Sequence, residues 1–329
     1  MIPDYRAVTT LQTPVDVATQ SMFETARVRG EPSPIDMFIA ATDEINQLYL
    51  RYIQEELPVP LGSLVLLGYM SAVESYIRAA IRRTVLVDDI SRKRAASLTL
   101  SFGAAYHHDR DRLPEALLEG YSFSGPGKIA DALKEVLDIE LKGSEMTAAT
   151  DQFSRICELR HCCVHRGGRL GSRNAIRLGL DVHGSLLERP FRPSIDDLQG
   201  ISDALITFVK SLNNFLFYKV LERTVYRGGE TVPELPWSWN WTWAEDRRQF
   251  LKFYGVFSSQ SDSPASASAR EIYQSFANAM QPGGTYWTAA RDDKRRRRGA
   301  SDAAPEQPLV EGLPPTLGSP EDPTKSVAA

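Results

Sequence analysis

The sequence predicts an all-α protein, an antiparallel helical bundle, on three observations. Four long segments carry apolar residues at steps of three and four, so that each has one apolar face. Capping residues and prolines mark their starts, and glycines their ends. The links between them are short, as neighbouring antiparallel helices require. A length of 329 residues is about twice that of a common domain and leaves room for an appendage. We expect an N-terminal extension over 1–33, the bundle over 34–226, a Trp-rich C-terminal appendage over 227–290 and a disordered tail over 291–329.

The run Gly30-Glu-Pro-Ser-Pro34 ends an N-terminal stretch without sustained periodicity. Ser33 then suits an N-cap, Pro34 the first helical position, and Asp36 the third position of a capping box. Phe38, Thr42, Ile45, Tyr49 and Tyr52 share a face until Pro58 and Pro60 stop the helix. A second helix follows from about Leu64, with Leu66, Met70, Val73, Ile77 and Ala80 as its stripe. Glu74 is a carboxylate in the middle of this apolar helix, where a solvated or hydrogen-bonded role is the plain reading.

Residues 88–127 read as shorter helices and a loop, and a short helix from about Lys128 to Leu141 follows. Ser144 is placed to cap the next helix, whose apolar line is Met146, Ala149, Phe153 and Ile156. The next steps of that line are Arg160 and Cys163, so an arginine stands where a core residue is due. Gly167-Gly168 closes this helix. Asn174–Val182 alternates as a strand, and a turn at His183-Gly184 would pair it with Ser185–Leu187 in a small β-hairpin. The last long helix opens at Ser194 with Asp197 in the box position, then runs through Leu198, Leu205, Phe208 and Leu212 towards Gly228-Gly229.

Beyond it, Trp237, Trp239, Trp241 and Trp243 occupy alternate positions, so an extended segment would line all four on one side. That stripe would pack the appendage against the bundle or a partner chain, or else stack on nucleobases. A weaker helix falls near Ala267–Met280. Lys294-Arg-Arg-Arg-Arg298 is either a solvated part of the tail or a source of phosphate attraction, and six prolines with no aromatic residue after Gly299 imply disorder.

With 38 Lys+Arg against 42 Asp+Glu the chain has a formal charge of −4, which excludes a uniformly basic nucleic-acid binder. No uninterrupted apolar run approaches the ~18 residues of a membrane span, and the first residues lack the features of a signal peptide. We therefore expect a cytoplasmic protein with no membrane partner. Cys157, Cys162 and Cys163 crowd into seven positions, unlike the dispersed set of a disulfide framework.

The residue types that carry chemistry concentrate in Glu158-Leu-Arg-His-Cys-Cys-Val-His-Arg-Gly-Gly168. From Arg155 to Arg192, eight arginines face three carboxylates, a local excess of five positive charges. Arg160 and His165 are five positions apart and so about 140° around a helix. They can border one cleft only if a second helix or subunit packs between them. His161 and His165, at i and i+4, share a face.

Three readings are open. Cations in a last helical turn are favoured by roughly 0.3–1 kcal/mol without further purpose. A metal site would use His161 and His165 with Cys157 or Cys162, but the only other plausible donor pair is His107-His108 and no second cluster completes a tetrahedral set. In the third reading, a histidine moves protons at a phosphodiester and an arginine stabilises the charge growing on it.

Arg160-His-Cys-Cys-Val-His165, followed by Arg-Gly-Gly, resembles the Arg-x(4–6)-His motif of the HEPN superfamily, many of whose members are metal-independent endoribonucleases. Leu67–Arg78 similarly resembles that family's second helix, where an acidic or polar residue faces the active-site helix. The toxin and phage-defence branches, including the RiboL-PSP-HEPN group, look nearest. The resemblance covers roughly 34–226. It implies Arg160 and His165 as the catalytic pair, with His161 and Glu74 in support and Arg166 and Arg169 as RNA phosphate contacts. His161 stands where the family commonly has a polar residue, often Asn.

The resemblance further implies no metal or other cofactor, an RNA substrate, and a homodimer that pools the motif residues. A toxin–antitoxin or antiviral defence role would add an antitoxin or defence-system partner. The alternative is a non-catalytic HEPN-like adaptor that binds RNA or protein.

Overall fold

A computed structural model of the chain describes residues 9, 15–24, 30–225 and 235–285. Its helices are α1 (Pro34–Leu50), α2 (Val59–Val87), α3 (Asp89–Ala95), α4 (Phe102–His107), α5 (Leu113–Leu118) and α6 (Pro126–Leu137) in the first half. The second half holds α7 (Ser144–His165), α8 (Ser172–Leu178), α9 (Leu180–His183), α10 (Ile195–Glu222), α11 (Trp243–Phe257) and α12 (Ala269–Met280). Among the described residues there is no strand, only an isolated antiparallel bridge between Arg169 and Pro190. The fold is all-α.

The expected hairpin over 174–187 is corrected to α8, α9 and a 3-10 turn at Gly184–Leu186. Burial explains the difference. Asn174, Ala175 and Leu178 are the buried positions of α8, a spacing of one and three that fits a helix and not a strand. Gly179, at φ 108, then breaks α8 from α9 in a region that side chains avoid.

Local signals placed the main helices. Ser33 accepts from the Asp36 N–H at 3.2 Å, and Ser194 with Asp197 forms a full capping box at the start of α10. Pro58 and Pro60 do more than stop a helix: α1 has already ended at Leu50, and the prolines sit at the N-cap and first turn of α2, where a missing N–H costs nothing. Helix α2 therefore begins five residues before its apolar stripe suggested.

Helix α2 is the centre, packed by α1, α3, α5, α6, α7, α10 and α11. Its Leu66, Tyr69, Val73, Tyr76, Ile77 and Ile81 are buried. It is also long and apolar enough to cross a membrane by length and composition, and 61% of the relevant window is buried inside the fold. Phe153 of α7 stacks flat on Phe208 of α10, centroids 4.1 Å apart, which fixes these two helices side by side. Tyr76 Oη donates to Asn213 Oδ1 at 3.2 Å, and Asn213 Nδ2 donates to the Phe257 carbonyl at 2.8 Å, so one polar chain ties α2, α10 and α11.

The chain divides into two compact units, Met1–Gln274 and Ser275–Ala329. The first unit runs past residue 226, because α11 packs on α10, α2 and α1. The Trp segment joins it: Trp239 is buried and its Nε1 donates to Thr224 Oγ1 at 2.9 Å, while Trp237 Nε1 donates to Asp89 Oδ2 at 2.8 Å. Trp243 opens α11, 5.3 Å from the Tyr273 ring. The expected tail over 291–329, with its Lys294–Arg298 run, lies outside the described residues.

Candidate active site at the end of helix α7

Helix α7 ends abruptly, and that is what exposes its motif. The Arg166 and Gly168 N–H groups both donate to the Cys162 carbonyl, at 3.0 and 3.1 Å, and Gly167 and Gly168 take φ of 58° and 78°. A side chain there would cost roughly 1–2 kcal/mol. The chain turns away at once, leaving His165 exposed at the helix tip and half-buried His161 one turn behind it. Their ring centroids are 4.7 Å apart.

Arg160, His161 and His165 line one cleft of about 430 Å³. Its other walls are Ser124, Gly125 and Pro126 at the start of α6, and Arg173 and Arg177 on α8. The 140° between Arg160 and His165 is thus spanned within a single chain, by elements that pack around α7. Gly125 caps α6 with no side-chain bond, so the positive end of that helix dipole lies at the cleft.

Glu158, buried two residues before Arg160, organises the α8 side. Its Oε2 accepts from Asn174 Nδ2 at 2.7 Å and its Oε1 from Arg177 Nη1 at 2.6 Å. The carboxylate thereby neutralises Arg177 and anchors α8 against α7. Arg160 and Arg173 make no ion pair among the described residues. The cleft therefore offers two uncompensated guanidiniums, two imidazoles and a helix N-terminus, an arrangement that attracts an anion such as a phosphodiester.

Three of the expected site residues stand outside this cleft. Glu74 does not line the cleft: Arg78, four residues on, takes its carboxylate at 2.9 Å. Arg78 also donates to the Leu118 and Tyr121 carbonyls at 2.7 and 2.8 Å, so Glu74 braces the segment that leads to the Ser124–Pro126 wall. Arg166 and Arg169 also stay outside the cleft. Arg166 pairs with Glu188 and Arg169 donates to the Glu188 carbonyl at 2.9 Å, which uses both to pin the 188–190 segment to the end of α7.

The residues that sequence reasoning missed are Arg173, Asn174 and Arg177. Their signal was the i, i+4 spacing of the two arginines, hidden by reading the segment as a strand.

The thiols are not poised for chemistry. Burial pushes Cys157 up to about 12, and raises Cys162 and Cys163 as well, so all three stay protonated near neutral pH. Among the described residues no group of three or more His, Cys, Asp or Glu is placed to hold a metal ion.

No family model, no curated protein and no solved structure matches this chain.

Proposed function

We propose that this chain is a metal-independent endoribonuclease with a HEPN-like antiparallel helical bundle, acting in the cytoplasm. The observation that carries the reading is the joint placement of Arg160, His161 and His165 in one cation-rich cleft. In the proposed reaction His165 takes the proton of an RNA 2′-hydroxyl, whose oxygen forms a bond to the adjacent phosphorus. Arg160, with Arg173 beside it, holds the phosphate oxygens as charge builds on them. The bond from phosphorus to the 5′-oxygen breaks, that oxygen is protonated, and the products are a 2′,3′-cyclic phosphate and a 5′-hydroxyl. The nucleophile belongs to the substrate, so the reaction calls for no metal-activated water.

Attacking and leaving oxygens lie roughly in line across the phosphorus. Two rings 4.7 Å apart on one helical face approach that line from the same side. This supports a homodimer in which a second copy supplies the group facing the leaving oxygen. Exposed Ile176, Leu180 and Val182, beside the α8 arginines, offer apolar surface for that contact. A toxin–antitoxin or antiviral defence setting, with an antitoxin or defence-system partner covering the cleft, follows from the same reading.

The alternative is a non-catalytic HEPN-like adaptor that binds RNA or protein; Trp237 and Trp239, one surface it could use, bond within the chain.

Labelled RNA incubated with purified protein in EDTA tests the proposal. Cleavage to cyclic-phosphate ends is expected, with a fall of about 10²–10⁴-fold in His165→Ala. Binding without cleavage, or full cleavage by His165→Ala, sinks it. DNA, lacking the 2′-hydroxyl, should remain intact.

A further inference from the structure

A second, larger cleft of about 700 Å³ opens on the opposite face of α7, between that helix, α10 and the segment 183–193. Its volume is that of a ligand pocket, typically about 300–1,000 Å³. One half is apolar, walled by Ile156 and Leu159 of α7 and by the Phe191 ring. The other half carries Arg155, Arg189 and Arg192, which are exposed and make no ion pair among the described residues. Asp196 is the one carboxylate there that is not engaged, since Asp197 is tied into the α10 cap with Ser194.

Helix α10 presents two small residues to the cleft, Gly200 and Ala204, one turn apart. Gly200 is hard to explain by packing. Apart from proline, glycine is the least favourable residue inside a helix, and a Cβ at this position would meet no heavy atom within 4 Å. A side chain at this position would therefore enter open space beside the cleft without a clash. Three guanidiniums against one unengaged carboxylate around an apolar slot leave an excess of positive charge that defines what would fill it, because guanidinium binds phosphate or carboxylate in two-point contacts and stacks on aromatic faces.

We propose that this cleft binds an aromatic organic anion of nucleotide size, with its ring between Phe191 and the α7 residues and its phosphate or carboxylate on Arg155, Arg189 and Arg192. The site is separate from the Arg160–His165 cleft and does not depend on the nuclease reading.

Titration of the full chain with anilinonaphthalene sulfonate, followed by fluorescence, tests it. One saturable site per chain is expected, from which AMP displaces the dye and inorganic phosphate at equal ionic strength does not. Gly200→Leu, which fills the cleft and favours the helix, should weaken dye and AMP binding by at least about tenfold without lowering the unfolding midpoint. The double variant Arg155→Ala, Arg192→Ala should weaken AMP to a similar degree. Should the leucine prevent folding, Gly200→Ala places one methyl group in the same space and should weaken binding about threefold. No saturable site, displacement by phosphate alone, or undiminished binding in the Gly200 variant that folds would each overturn the proposal.

Discussion

Arg223 and Arg160 are the same side chain put to opposite conditions. Arg223, at the end of α10, is enclosed: it pairs with the fully buried Asp88 and donates to Ser91 Oγ at 2.6 Å and to the Leu137 carbonyl at 2.5 Å. It locks the ends of α2, α3, α6 and α10 together. Arg160 and Arg173 make no ion pair among the described residues, since Glu158, the carboxylate that lines their cleft, is taken by Arg177 and Asn174. The difference teaches how to separate cations that the fold consumes from cations that it leaves for a ligand. Where the chain pairs the charge and supplies acceptors to both terminal nitrogens, leaving only Arg223 Nε and Asp88 Oδ1 without a partner, the role is structural, and where no carboxylate pairs the charge a ligand can.

That distinction breaks if mutations in the two regions have the same effect. Asp88→Ala leaves the Arg223 charge buried and alone, which costs about 3–5 kcal/mol of stability and should show as a large drop in the denaturant midpoint. Arg160→Ala should leave that midpoint where it is. Its effect should fall on cleavage instead, by about 10²–10³-fold, the usual result of removing one donor to a developing oxyanion. If Arg160→Ala unfolds the protein as Asp88→Ala does, the contrast between them fails.

Glu158 sits between the two cases, because it both anchors α8 and neutralises Arg177. Asn174→Ala should cost about 1–3 kcal/mol by stripping a buried carboxylate of a donor, with cleavage lowered through the displaced α8.

Asp36 sharpens the structural side. Burial works to raise its carboxyl, but the Ser259 hydroxyl at 2.5 Å, the Ser261 and Gln260 N–H groups at 3.0 Å and the Ser33 hydroxyl outweigh this and hold it below the ordinary range. A depressed carboxyl contributes stability in full above its unfolded value, near pH 4, and loses it as pH falls through the lower folded value. Wild type should therefore lose stability below about pH 4 more steeply than Asp36→Asn, as read by urea midpoints across that window. Smallest of all, Trp239→Phe removes one buried bond to Thr224 and should cost about 0.5–1.5 kcal/mol with no change in cleavage.

Features set by neighbours in sequence were legible. Ser33 with Asp36, Ser194 with Asp197 and the Gly167-Gly168 stop each act within one turn, so the helices that carry the site could be placed before any packing was known. Features set at a distance were not. Asn174, Ile176, Leu178, Leu180 and Val182 alternate well enough for a strand, but the buried Glu158 carboxylate, 16 positions away, draws Asn174 and Arg177 onto one helical face. The same long-range capture decided Arg166, whose partner Glu188 lies 22 positions on. Glu74 is held by a local partner, an arginine at i+4.

The carboxylate of Asp36 has one further consequence, for synthesis. It is made early, whereas its donors at 259–261 lie 223 to 225 positions downstream. At about 5–20 residues per second the ribosome needs roughly ten to forty-five seconds to deliver them. Through that interval the nascent chain carries a carboxylate with only the local Ser33 hydroxyl beside it, and the contact with 259–261 forms only after all the residues of the Arg160–His165 cleft have been made.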